Sequence, residues 1–163
     1  MSMSMVEIER SLKMLRLSGI SSTLEARSLQ ASQGDVSFME AFSMLLQDEM
    51  DRRKSRLIER RFQQSGLEEK KTLTEFDWGF NSRIPKKACF ELMTCKFIQT
   101  GEDALLLGSP GTGKSHIAKA VAHAAIIAGY RVVHREAHLL FSELYEATQL
   151  KMRKKKIDPF IFA

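Results

Sequence analysis

Residues 104–129 read ALLLGSPGTGKSHIAKAVAHAAIIAG, and the reading of this stretch decides the expected fold class. Its centre, Gly108-Ser109-Pro110-Gly111-Thr112-Gly113-Lys114-Ser115, matches G-x-x-x-x-G-K-[ST], the Walker A phosphate loop. Each fixed position has a physical job. Glycines at 108, 111 and 113 permit turns that a Cβ would hinder, so that successive N–H groups can point inward around a phosphate. Lys114 is placed to reach the β- and γ-phosphates of a nucleotide, and the Ser115 hydroxyl to ligate Mg²⁺. The flanks agree with this reading. Ala104 to Leu107 is a continuous apolar run of the kind seen in strands buried on both faces. From Lys114 the chain is rich in alanine and closes at Gly129, which predicts a helix with its N-terminus aimed at the phosphates. Ile117, Ala118, Val121, Ala122, Ala125 and Ile126 fall at helical spacing and are expected to pack on a sheet.

Composition sets the outer bounds. With 163 residues, 44% hydrophobic and 28% charged, the chain has room for one ordinary globular domain or two small ones. No stretch approaches the roughly 18 uninterrupted apolar residues of a membrane span. The N-terminus MSMSMVEIER lacks the basic and apolar regions of a signal peptide, so a soluble cytoplasmic protein is expected. Cys89 and Cys95 sit six apart in an expected helix, on different faces, which reads as two buried thiols rather than a disulfide or zinc pair. The net charge of +5 is unevenly spread: residues 51–100 hold 12 Lys and Arg against 7 Asp and Glu, while residues 1–50 are net acidic.

The first third has helical periodicity. Val6, Ile8, Leu12, Leu15 and Leu17 predict a first amphipathic helix ending near Gly19, and Leu24 to Ala31 a second, shorter one before Gly34. Ser37 and Glu40 form a capping-box pattern that opens a longer helix with Phe38, Phe42, Leu45, Leu46, Met50 and Leu57 on its apolar side. At the far end of that helix Arg52, Arg56 and Arg60 stand at i, i+4, i+8. Such a stripe suits DNA phosphates, in a sequence-independent and salt-sensitive mode. It suits equally a solvated face paired with Glu49, Asp51 and Glu59.

Between Gly66 and Thr100 the character changes. A charged connector, 68–71, leads into Phe76, Trp78 and Phe80 just before Pro85 opens another helix, whose apolar side is Phe90, Leu92, Met93, Phe97 and Ile98. The aromatics read as packing at a domain junction, with stacking on nucleobases as the alternative. Beyond the loop helix, 130–134 predicts a second strand and Ala137 to about Lys155 another helix. His116 and His123 share a helix face and are expected to pack or face solvent. His134 and His138 are separated by a strand-to-helix break that disfavours a metal site.

The segment FDWGFNSRIPKK, an intervening helix and then ALLLGSPGTGKSHIAKAVAHAAIIAGYRVV resembles the IstB transposition helper ATPases, relatives of the DnaC helicase loader within the AAA+ class. The resemblance runs to about Leu150. It implies an ATP- and Mg²⁺-dependent homo-oligomer that binds double-stranded DNA and assists a transposase. The fold it implies is α/β: a small all-α N-terminal domain over residues 1–66, a connector and helix over 67–100, and an incomplete P-loop NTPase core of AAA+ type over 101–163. Only the phosphate-loop roles carry over by residue: Gly108, Gly111 and Gly113 as cradle, with Ser109, Pro110 and Thr112 between them, Lys114 on the phosphates and Ser115 on Mg²⁺.

The departures are as informative. A buried strand ending in two acidic residues, which holds Mg²⁺ and polarises water in such proteins, does not follow the loop. Asp158 comes after a lysine run and before Pro159, which suits neither a central strand nor that role. The sensor and arginine finger of the resembled family are also absent. The expectation is a C-terminally truncated chain without measurable hydrolysis. In the resembled sheet order, 5-1-4-3-2, its two strands are not neighbours, so 103–107 and 131–134 either lack ladder partners or pair with each other non-natively. Two further functions stay open at this point: a DnaC-like replicative helicase loader, and a non-catalytic remnant that binds DNA or a partner.

Overall fold

The computed structural model describes residues 3–34, 36–149 and 157. Among the described residues the helical elements are α1 (Met5–Met14), α2 (Ser18–Ser32), α3 (Phe38–Ser65), α4 (Lys86–Met93), α5 (Lys96–Thr100), α6 (Lys114–Ala128) and α7 (Ala137–Gln149). The chain divides into two compact units, Met1–Leu57 and Ile58–Ala163.

In the first unit the capping box expected at Ser37 and Glu40 is formed. The Ser37 N–H donates to Glu40 Oε2 at 2.7 Å and the Glu40 N–H to Ser37 Oγ at 3.3 Å. A second box, Ser4 with Glu7, opens α1. Gly19 does not end the first helix; it lies inside α2, which starts at Ser18, six residues before the Leu24 that the local pattern predicts. The cause is long-range. Glu49, on α3 and only 5% exposed, accepts the N–H groups of Gly19 at 2.6 Å and Ile20 at 3.3 Å. A carboxylate from another helix therefore satisfies the orphan donors at the start of α2. Burial pushes the Glu49 carboxyl up, but the Arg53 guanidinium at 2.7 Å and those two N–H groups outweigh it and hold the group below its usual value. Beside it, Arg27 grips Asp48 with two bonds of 3.1 Å and lowers its carboxyl as well.

The second unit has its core in Leu73, Cys89, Ile117 and Ala120, with Phe76, Trp78, Ile84, Met93, Leu106 and Val121 packed around them. Here α6 lies against α4. The two strands of the expected α/β core are not seen: among the described residues there is no strand. Neither 103–107 nor 131–134 forms a ladder, with another segment or with each other. A strand is held by cross-strand hydrogen bonds, and these two segments find none. Instead the His134 N–H donates to the Ser65 carbonyl at 2.7 Å, at the end of α3. Leu105 and Leu107, expected in a doubly covered strand, are 80% and 82% exposed. The face of α6 expected to meet a sheet is altered in consequence. Ala118, Val121 and Ala122 border a cavity of about 300 Å³ with Leu106 and Val132, while the buried side shifts to include Ala120.

The helix expected after Pro85 is broken. Cys95 takes a left-handed backbone, φ 56°, between α4 and α5, where Thr94 Oγ1 turns back onto the Glu91 carbonyl at 2.7 Å. No glycine marks this bend, so the periodicity ran through it. Both cysteines are nonetheless free and buried, and burial pushes both thiols up. No helix among the described residues is long and apolar enough to cross a membrane. The expected continuation of α7 to Lys155, Leu150, the lysine run and Asp158 lie outside the described residues.

Candidate phosphate-loop site

The loop 108–113 runs directly into α6. Gly111 (φ 76°) and Gly113 (φ 85°) occupy the left-handed region, in which an L side chain is strained. Gly113 caps the helix, and the first internal bond runs from the Ile117 N–H to its carbonyl at 3.0 Å. The N–H groups of Lys114, Ser115 and His116 consequently have no carbonyl one turn back to bond, which is the arrangement that receives anions at a helix N-terminus.

Lys114 folds over this loop. Its Nζ donates to the Ser109 carbonyl at 2.7 Å and approaches Thr112 Oγ1 at 3.5 Å, while Thr112 Oγ1 itself donates to the same carbonyl at 2.9 Å. The ammonium is thus held inside the curve of the loop on weak, neutral acceptors that a phosphate oxygen would outcompete. Ser115 stands exposed on the first turn of α6. The structure brings together all eight residues expected from Gly108 to Ser115. A cavity of about 310 Å³ opens beside them, its lining including Gly108, Thr112 and Lys114 together with Asn81, Ile84 and Pro85.

Local sequence reading expected Phe76 and Trp78 to be packed but could not name their partners around the loop. Phe76 and Trp78 pack inside the second unit. The Phe76 ring meets Trp78 edge-on at 4.8 Å and His116 at 5.2 Å, and Trp78 stacks on Phe90 at 5.6 Å. The two histidines of α6 hold the preceding segment. His116 Nε2 lies 2.9 Å from the Thr72 carbonyl and His123 Nδ1 3.2 Å from that of Lys71. The shared face of the histidines was the only sequence signal for this contact.

Arg52, Arg56 and Arg60 are exposed on α3, each one turn from the next. The acidic residues expected to neutralise them are engaged elsewhere: Glu49 with Arg53, Asp51 with Gln47 and Glu59 with Lys70. The solvated-face alternative loses those partners.

The IstB-like ATP-binding protein family matches residues 10–159. An insertion sequence IS21 protein of Pseudomonas aeruginosa, named for ATP binding, is 33% identical over 159 residues, covering 98% of this chain and 60% of its own length. An insertion-sequence protein of Mycobacterium tuberculosis, named likewise, is 32% identical over 137 residues, 84% of this chain and 55% of the relative. The IS5376 protein of Geobacillus stearothermophilus, also so named, is 33% identical over 131 residues, 80% and 52% respectively. The chain thus spans between about half and three fifths of the length of these relatives. By these matches the chain belongs to the IstB-like ATP-binding protein family.

Proposed function

We propose that this chain is the nucleotide-binding part of an ATP-dependent helper of DNA transposition, acting in the cytoplasm on double-stranded DNA as a homo-oligomer that assists a transposase. The observation that carries the nucleotide reading is the ammonium of Lys114 held over the left-handed turns of Gly111 and Gly113 at the start of α6. In this reading Gly108, Ser109, Pro110, Gly111, Thr112 and Gly113 wrap the phosphates, Lys114 meets the β- and γ-phosphates, and Ser115 ligates Mg²⁺. The adjoining cavity, about 310 Å³, is of the size that ligand pockets take and has room for the nucleoside end. Residues 1–66 then form the helical domain, 67–100 the connector and 101–163 the nucleotide-binding portion.

Calorimetric titration in the presence of Mg²⁺ tests the reading. ATP and ADP are expected to bind and AMP to fail, because the loop grips the β-phosphate; equal affinity for AMP, or no binding of ATP, would sink it.

The exposed arginines of α3 support the DNA side. Changing Arg52, Arg56 and Arg60 together to alanine is expected to weaken duplex binding equally for unrelated sequences. The slope of log K against log salt should fall by about one per arginine lost. An unchanged slope in fluorescence anisotropy would remove the stripe from the interface.

A further inference from the structure

The phosphate loop is held from outside by one aromatic ring. A Cβ built on Gly113 would lie 2.6 Å from Phe76 Cε2 and 2.7 Å from Cζ, so the ring edge already fills the space beside that residue. The ring has little room to retreat. It is wedged between Trp78 and His116 and packs on the core of Leu73, Cys89, Ile117 and Ala120. The backbone that delivers it is tied to one face of α6 at two points about two turns apart, through His116 to Thr72 and His123 to Lys71. Trp78, the single tryptophan of the chain, adds a bond from Nε1 to the Leu73 carbonyl at 3.3 Å.

Gly113 is the turn from which Lys114 and the first N–H groups of α6 are presented. A left-handed glycine has wide conformational freedom, and a loop that must point several donors at one ligand loses affinity when that freedom is not restrained. We propose that Phe76 is a positioning residue for the phosphate loop: its ring seats the Gly113 turn in the conformation that receives phosphate, and couples phosphate binding to Trp78. This inference rests on the proposed nucleotide binding and names a residue outside the Walker motif on which that binding depends.

Two measurements on the full chain test it. Phe76→Leu keeps an apolar side chain on the core but withdraws the ring from Gly113. The variant is expected to remain folded by circular dichroism at the assay temperature, with a lower thermal midpoint for the lost packing, while its affinity for Mg²⁺-ATP falls about tenfold. Wild-type affinity in a folded Phe76→Leu variant would overturn the proposal. The second measurement needs no variant. Tryptophan emission of the parent chain is expected to change on saturation with ADP or with inorganic pyrophosphate and to stay constant with adenosine, since the coupling runs through the phosphates. Emission that ignores bound ADP would overturn the proposal while leaving nucleotide binding intact. Failure of the parent chain to bind ADP in calorimetry would instead overturn the nucleotide reading, and this inference with it.

Discussion

Gly113→Ala is expected to abolish nucleotide binding at concentrations where the parent chain saturates. Two penalties add at this position. The left-handed backbone, φ 85°, costs an alanine roughly 1–2 kcal/mol. The new methyl would also sit 2.6 Å from a Phe76 ring that is itself packed, an overfilling that costs typically about 1–3 kcal/mol. Relief requires either a different turn at 113, which re-aims Lys114, or ejection of the ring. Together they amount to a loss of about a hundredfold or more in affinity. Gly111→Ala provides the comparison. Its φ of 76° carries the same strain, but nothing lies within 4 Å of the added Cβ, so a loss of only about tenfold is expected. Calorimetric titration with Mg²⁺-ATP measures both, and equal losses would mean that the ring contact carries no weight.

Gly19→Ala is expected to lower the stability of the helical unit by about 1–3 kcal/mol, read as a shift in the urea midpoint of the far-ultraviolet circular dichroism signal. The sign is the informative part. Replacing glycine by alanine in an unobstructed helix stabilises it by up to about 1 kcal/mol, and Gly19 lies within α2 at a backbone that alanine can adopt. Its Cβ, however, would stand 2.5 Å from Glu49 Cα and 2.7 Å from the Asp48 carbonyl oxygen. Those are backbone atoms of α3 and cannot swing aside as a side chain would. Separating α2 from α3 would also lengthen the Glu49 bonds to the Gly19 and Ile20 N–H groups, leaving buried donors unmatched. A rise in midpoint would show that the two helices do not approach as closely as described.

Both positions show where sequence reading stops. The Walker loop, its helix and the capping box at Ser37 were legible because each is a local device, closed within a few residues by backbone geometry or an i, i+3 contact. The arginine spacing on α3 was legible for the same reason. Three local readings failed, each for a different reason. Gly19 looked like a helix terminator until Glu49 supplied the cap. The bend at Cys95 had no glycine to announce it. The apolar run 104–107 has the composition of a buried strand, but a strand needs a neighbour to hydrogen-bond, and here its leucines stand exposed.

By itself, then, the sequence determined the phosphate loop, the helix that follows it, the helical character of the first third and the family, because these depend on contacts between residues close along the chain. Tertiary structure alone decided which residues the packed aromatics meet, Phe76 lying against Gly113 and His116, and that neither segment flanking α6 forms a ladder among the described residues. A ring 37 residues upstream can hold Gly113 only after His116 and His123 have tied its backbone to α6, and no spacing rule encodes that tie.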